Sequence, residues 1–132
     1  MKSKIIAQKA VLEKDGKLLI LHRAENENAF PGLWDFPGGK LEGRENKEES
    51  LIREVKEETQ LIIKPQKMLG IYHAILKDKP VEFIIYTANM LDGDVSIGEE
   101  HSQFCWATPA EIKLLKTMPY MIECLENYNT TK

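Results

Sequence analysis

The sequence predicts an α+β sandwich with a mixed β-sheet. Three observations support this fold class: strand patterns dominate the first half, a helix without glycine or proline spans about 46–60, and a helix-start signal stands near the C-terminus. The 132 residues are long enough for one hydrophobic core and too short for two, so we expect a single domain over 1–132.

The first element is a predicted β-hairpin. The segments IIAQKAVLEK at 5–14 and KLLILHR at 17–23 have strand patterns, and Asp15-Gly16 between them is a strong hairpin-turn signal. Residues 24–35, AENENAFPGLWD, are polar and rich in turn formers, which predicts a surface loop. Further strands are predicted over 66–76, 81–91 and 102–108.

The helix predicted over about 46–60 contains good helix formers throughout. At about 100° per residue, Leu51, Ile52 and Val55 fall in one stripe, which we expect to pack on the sheet. A later helix is predicted to begin with a capping box formed by Thr108, Pro109 and Glu111. Its apolar side is predicted to be Ile112, Leu114 and Leu115, and 120–128 forms either its continuation or a separate C-terminal helix.

Three acidic side chains share one face of the helix over 46–60. Glu54, Glu57 and Glu58 stand at spacings i, i+3 and i+4, where like charges destabilise a helix by a few tenths of a kcal/mol each, and Arg53 offers local relief. A solvated acidic face is the alternative interpretation. However, the acids border the buried stripe and follow the sequence PGGK, and clustered carboxylates in such a place favour a bound cation. Magnesium commonly combines one or two carboxylates with substrate phosphates, so the pattern predicts a metal site for a phosphate substrate.

Charge and composition exclude other classes of function. The net charge of −3 gives no general attraction to nucleic acid or to an acidic membrane surface. Nothing near the N-terminus resembles a signal peptide, and no apolar run approaches the roughly 20 residues that span a bilayer. We therefore predict a cytoplasmic location, in which Cys105 and Cys124 are reduced thiols.

The segment 39–61 resembles the Nudix box of the MutT-like hydrolases. The resemblance rests on Gly39, then five residues, Glu45, then seven residues, and the run REVKEE at 53–58, with further similarity in LWDFPGGK and CWATPAEI. One position departs from the pattern, since Gln60 stands where the family usually has glycine. Glycine ends a helix in the left-handed conformation without strain, so this departure puts the last turn of the helix in doubt.

The resemblance implies a Nudix fold, an α/β/α sandwich in which a catalytic helix holds Mg²⁺ or Mn²⁺. Glu54 would also activate the attacking water, and Arg53 and Glu45 would pair to orient the catalytic loop and helix. Arg23 and Lys40 would meet the substrate phosphates, and Phe36 lines either a base pocket or the core. The implied metal ligands are Gly38 through its carbonyl, Glu54, Glu57, Glu58 and Glu100. His22, His73 and His101 are interpreted as structural or surface residues, although His101 stands beside Glu100.

The resemblance also implies hydrolysis of a nucleoside diphosphate linked to a group X. We expect a nucleoside or deoxynucleoside triphosphate to give the monophosphate and pyrophosphate. ADP-ribose and dinucleoside polyphosphates are the alternative substrates, although Leu76 and Asp78 stand where those subfamilies tend to show proline and tyrosine. A domain of another class that senses nucleotides without hydrolysis is ranked lower because every acid of the box is present. The expected partner is a small nucleotide, not a nucleic-acid polymer or a membrane, and a homodimer is left open.

Overall fold

The computed structural model describes residues 4–26 and 30–128. Its strands are β1 Ile5–Lys14, β2 Lys17–Arg23, β3 Trp34–Asp35, β4 Gly38–Lys40, β5 Ile62–Leu76, β6 Lys79–Asp92 and β7 His101–Ala107. Its helices are α1 Lys47–Thr59, α2 Pro109–Ile112 and α3 Tyr120–Glu126. The predicted hairpin is confirmed with its bounds, and Asp15 and Gly16 both have positive φ angles, of 52° and 78°, as a two-residue type I′ turn requires.

Strand β1 lies at the centre of the sheet and makes it mixed. Along one edge β1 pairs in parallel with β6, from Ile5 to Leu12. Along the other edge it pairs antiparallel with β4 at Ala7–Lys9 and with β2 at its C-terminal end. Strand β5 extends the sheet beyond β6, and β3 and β7 both pair with β2. This order places β4, which carries the glycine pair, against the central strand.

Helices cover both faces of the sheet, which confirms the predicted α+β sandwich. On one face α1 buries Leu51 and Val55 in a cluster that includes Ala10 and Leu12 of β1. On the other face α2 and α3 pack on the β1 residues whose side chains point to the opposite side of the sheet. The members of this second cluster include Ala7, Val11, Ile112, Met121, Cys124 and Leu125.

Helix α1 ends in the left-handed turn that Gln60 put in doubt. Gln60 has φ 67° and ψ 10°, and its backbone N–H donates to the carbonyl of Lys56 at 2.8 Å. A residue with a Cβ in this conformation is strained by about 1 kcal/mol. At the other end, the side chain of Asn46 accepts hydrogen bonds from the N–H groups of Glu48 and Glu49, at 2.9 and 3.1 Å. The helix therefore keeps defined ends without the usual glycine.

Helix α2 has the predicted start but not the predicted extent. The Thr108 side chain accepts from the N–H of Glu111 at 3.2 Å, and the Glu111 side chain accepts from the N–H of Thr108 at 2.8 Å. The helix nevertheless ends at Ile112, and Leu114 is 87% exposed, so its assignment to the apolar side was wrong. The reason is backbone pairing: Trp34 donates to the carbonyl of Lys116 and accepts from the N–H of Met118, both at 2.9 Å. The chain therefore leaves the helix to run beside β3, and α3 is a separate helix.

The predicted loop over 24–35 contains a short strand at its end. Trp34 and Asp35 form β3, which pairs with His22 and Leu21 of β2. Residues 27–29 of this prediction lie outside the described residues. Both cysteines are free thiols, and burial raises the pKa of the Cys124 thiol to about 12. Within the described ranges, no helix has the length and apolar character needed to cross a membrane.

Candidate active site

The glycine pair of β4 lets the carboxylates of α1 reach the sheet backbone. Gly38 has φ +150°, and a Cβ there would lie 2.0 Å from the carbonyl oxygen of Gln8. A Cβ on Gly39 would lie 2.5 Å from the carboxyl carbon of Glu54. Neither position has room for a side chain, because heavy atoms that are not bonded do not approach this closely. The missing side chains leave the space in which Glu54 lies against the strand.

Glu58 is the most deeply placed acid of α1. Its Oε1 accepts a hydrogen bond from the N–H of Gly38 at 2.7 Å, and its side chain is 14% exposed. Burial raises the pKa of Glu58 to about 8, although the positive charge of Lys9 and the Gly38 N–H oppose this shift. The negative charges of Asp35 and Glu54 add to the increase. A carboxylate in this environment ionises readily only when more positive charge joins it, which is what a divalent cation supplies.

Arg53 contacts two acids of the helix and one acid of the loop before it. Its guanidinium donates twice to Glu45, from Nε at 3.0 Å and from Nη2 at 2.9 Å. Its Nη1 donates to Glu57 at 2.7 Å, and Nη2 lies 3.2 Å from an oxygen of Glu54. Burial works against ionisation of Glu45, but the hydrogen bonds from Arg53 and smaller contributions outweigh it and lower the pKa of Glu45. Arg53 therefore ties the loop before α1 to the helix through the pair that the resemblance implies, and it also contacts two further carboxylates.

Glu54 differs from its neighbour Glu57 in its surroundings. The Glu54 side chain is 21% exposed, whereas that of Glu57 is 57% exposed. Burial raises the pKa of Glu54, and the charge of Arg53 opposes the increase. Glu54 is thus an acid at the glycine pair whose pKa is raised by burial, which makes its carboxylate a stronger base than an exposed one.

A second part of the chain brings an acid and a histidine to Glu58. One potential ligand atom from each of Glu58, Glu100 and His101 lies within 4.8 Å of the others. The Nε2 of His101 is 3.9 Å from Oε2 of Glu58. Strand β7 begins at His101, which lies opposite Arg23 of β2, and a β-bulge falls between His22 and Arg23. Bulges next to active sites commonly redirect side chains, and here the irregular pairing brings the start of β7 to the helix.

These donors fit a divalent metal ion. Carboxylate oxygens are the ligands that Mg²⁺ and Mn²⁺ prefer, and imidazole nitrogen is a common ligand of transition metals. Of the five predicted metal ligands, the structure joins Glu58 to Glu100 and places Glu54 near Glu58, while Glu57 is held by Arg53. The N–H of Gly38 binds Glu58, and the ligand role of its carbonyl stays a prediction. His101, which the sequence analysis interprets as a structural or surface residue, is buried beside Glu58, and its position next to Glu100 in the sequence was a signal for this location.

A buried ionic network behind the site was not predicted. The Lys9 Nζ donates to one oxygen of Asp35 at 2.9 Å, and the Tyr120 hydroxyl donates to the other at 2.5 Å. Both members of this ion pair are buried, and the Nη1 of Arg23 lies 3.7 Å from Asp35. Burial and the negative charge of Asp35 raise the pKa of Tyr120 well above its usual value. The available signal was a charged residue inside each of two apolar runs, IIAQKAV and LWDFP.

The three predicted substrate-binding residues lie in different surroundings. Arg23 is partly buried beside Asp35, and Lys40 is exposed at the end of β4. Phe36 is 1% exposed in the core, 6.3 Å from the ring of Tyr120 between centroids. The geometry thus favours the alternative assignment of Phe36, as a core residue, because a fully buried ring has no face left for a base.

Comparison with known proteins identifies the family. The sequence model of the NUDIX domain family matches residues 6–128. The chain is 35% identical over 97 residues to the ADP-ribose pyrophosphatase of Methanocaldococcus jannaschii, covering 72% of this chain and 56% of that protein. It is 28% identical over 120 residues to the CTP pyrophosphohydrolase of Escherichia coli, covering 90% of this chain and 87% of that protein. The crystal structure of the MutT protein from Methanosarcina mazei Go1 superposes with a TM-score of 0.86 at 31% identity, over 95% of this chain and 92% of the other.

The chain therefore belongs to the NUDIX domain family, and it has the Nudix fold. The predicted family, fold class and hydrolase class are confirmed. The relatives named above carry different substrate names, so family membership does not decide the substrate of this chain.

Proposed function

We propose that the chain is a divalent-metal-dependent hydrolase of nucleoside diphosphate-X compounds. Its most direct substrate would be a nucleoside or deoxynucleoside triphosphate, cleaved to the monophosphate and pyrophosphate. The observation that carries the proposal is the convergence of Glu58, Glu100 and His101, with Glu54 beside them, at the glycine pair. Acids that converge in this way, two of them partly buried, have a chemical use when a cation and a polyanion complete the site.

Each side chain then has a defined task. Glu54, Glu58, Glu100 and Glu57, with the carbonyl of Gly38, would hold Mg²⁺ or Mn²⁺. The bound ion supplies neutralisation of charge on the phosphate oxygens. Glu54 would accept the proton of the attacking water, a role that fits its raised pKa.

Other residues position these groups or the substrate. Arg53 donates two hydrogen bonds to Glu45, and these fix the position of the preceding loop relative to the helix. Arg23 lies opposite His101 across the β2–β7 pairing, and Lys40 is exposed at the end of β4, so both would be available to meet the substrate phosphates. Two cations in these places would offset the net negative charge of the chain for a polyanionic substrate.

The second candidate substrate is ADP-ribose. The M. jannaschii relative, at 35% identity, carries the name of an ADP-ribose pyrophosphatase, although this chain spans only 56% of its length. The E. coli relative, matched over nearly its whole length, carries the name of a CTP pyrophosphohydrolase. The triphosphate is preferred because the chain lacks the position-specific features of the ADP-ribose and dinucleotide subfamilies.

The deciding experiment is product analysis with a panel of nucleotides. Common and 8-oxo nucleoside triphosphates, ADP-ribose and diadenosine tetraphosphate are each incubated with Mg²⁺ or Mn²⁺, with and without chelator. Pyrophosphate release from a triphosphate that the chelator abolishes is the expected result. Cleavage of ADP-ribose or the dinucleotide alone would keep the mechanism and replace the substrate. Nucleotide binding without turnover would instead support a sensing domain.

A further inference from the structure

We propose that His101 supplies an imidazole nitrogen to the cation held by Glu58 and Glu100, so that this site binds Mn²⁺ in preference to Mg²⁺. The inference rests on the metal site of the proposed function and adds a ligand of a different chemical kind. It concerns which ion the protein selects, and it is independent of which nucleotide is cleaved.

The geometry around Glu58 is already close to that of a shared ion. The Nε2 of His101 is 3.9 Å from Oε2 of Glu58, and the ligand atoms of all three residues lie within 4.8 Å of one another. Ligands bound to a metal at about 2.1 Å are separated by roughly 3 Å when adjacent and about 4.2 Å when opposite. Movements of about 1 Å therefore bring the three donors onto one ion. Glu100 is exposed and can make most of this adjustment.

The His101 ring is held in place by the fold. Its side chain is 5% exposed, and its backbone lies at the first position of β7, opposite Arg23. The N–H of Ala24 donates to the carbonyl of Glu100 at 3.1 Å, which attaches the segment before β7 to the end of β2. A buried ring with Nε2 directed toward Glu58 is a preorganised donor, unlike an exposed histidine that meets a metal by chance.

The choice of ion follows from the chemistry of the donor. Mg²⁺ takes oxygen ligands almost exclusively, whereas Mn²⁺, which also favours oxygen ligands, binds an imidazole nitrogen more readily than Mg²⁺ does. In a site with two carboxylates and one imidazole, His101 thus increases the affinity for Mn²⁺ more than it increases the affinity for Mg²⁺. His101 is expected to lower the ratio of the Mn²⁺ to the Mg²⁺ dissociation constant by about tenfold or more.

The test is pulsed electron paramagnetic resonance of the protein with Mn²⁺ and no nucleotide. A ¹⁴N nucleus bound to Mn²⁺ produces a modulation of the electron spin echo that oxygen ligands do not produce. The wild type is expected to show this modulation, and His101→Gln is expected to lose it. His73→Gln is the matched control, because His73 lies on β5 with a 67% exposed side chain and should leave the signal unchanged.

A second variant keeps the test decisive if His101→Gln fails to fold. The sequence has three histidines, so a double variant His22→Gln/His73→Gln retains His101 alone. With ¹⁵N-labelled histidine, this double variant should show ¹⁵N coupling to Mn²⁺. Titrations with Mn²⁺ and Mg²⁺ should also show that His101→Gln weakens Mn²⁺ binding about tenfold more than it weakens Mg²⁺ binding.

Each outcome has a distinct meaning. Absence of nitrogen coupling in the wild type, or its persistence in His101→Gln, would overturn the inference. Coupling from His101 in a protein that hydrolyses no nucleotide would support the inference and defeat the proposed function. Nucleotide hydrolysis by a protein whose metal has only oxygen ligands would support the proposed function and defeat the inference.

Discussion

Replacement of Asp35 by asparagine should destabilise the protein strongly, because Asp35 is the buried partner of Lys9. Asn has the same shape as Asp but no charge, so Asp35→Asn removes the carboxylate on which the buried Lys9 ammonium depends. Asp35 is 2% exposed and Lys9 is 8% exposed at the side chain, and their N–O distance is 2.9 Å. The charge of Lys9 would remain in the interior without its partner.

The magnitude follows from this burial. Breaking a buried ion pair from one side destabilises a protein by about 3–5 kcal/mol. The amide oxygen of Asn can still accept a hydrogen bond from Tyr120, so we take the lower value, about 3 kcal/mol. For a domain of this size, about 3 kcal/mol corresponds to a decrease in Tm of roughly 10 °C.

Urea unfolding followed by tryptophan fluorescence measures the difference in free energy, and thermal unfolding measures the change in Tm. Lys4→Gln is the matched control, because the Lys4–Glu82 pair has a similar distance of 3.0 Å but Lys4 is 50% exposed. The control should lose less than about 1 kcal/mol. A double variant, Lys9→Met/Asp35→Asn, should recover at least about 1 kcal/mol over Asp35→Asn because the Lys9 charge is no longer buried without Asp35. A loss below about 1 kcal/mol in Asp35→Asn, or no recovery in the double variant, would refute the reasoning.

Three further predictions concern α1. Glu54→Gln should lower kcat at least about 100-fold in a protein that still folds, whereas Glu48→Gln, at an exposed position of the same helix, should keep normal kinetics. Equal turnover in both variants would remove Glu54 from the mechanism. Gln60→Gly should raise the unfolding free energy by about 1 kcal/mol, because glycine adopts φ 67° without strain. A lower unfolding free energy of the variant, measured by urea unfolding, would contradict this. The pKa of Glu58 is about 8 in the folded protein and 4.5 for an ordinary glutamate. Between these pH values the folded protein binds a proton that the unfolded chain releases, so stability falls as the pH rises from 4.5 to 8. Between pH 6 and pH 8 the metal-free protein should lose about 2 kcal/mol in urea unfolding, and Glu58→Gln should flatten this dependence.

Local sequence alone determined much of the framework. The Asp15-Gly16 turn, the bounds of β1 and β2, and the acidic face of α1 were predicted correctly because each depends on neighbours within a few residues. The Arg53–Glu45 contact is likewise reached from within one loop and one helix. These features follow from periodicity, turn chemistry and capping, which act over short distances along the chain.

Tertiary structure alone decided what surrounds these elements. Asp35 meets Tyr120, 85 positions away, because α3 packs on the face of the sheet beside β3. The predicted extension of α2 failed for a similar reason, since backbone pairing with Trp34 outweighs helix propensity in the residues after Ile112. His101 reaches Glu58 only through the pairing of β2 with β7 and the packing of α1 on the sheet. Pairings between distant segments depend on the whole fold, and the residues of one segment do not specify which distant segment it meets.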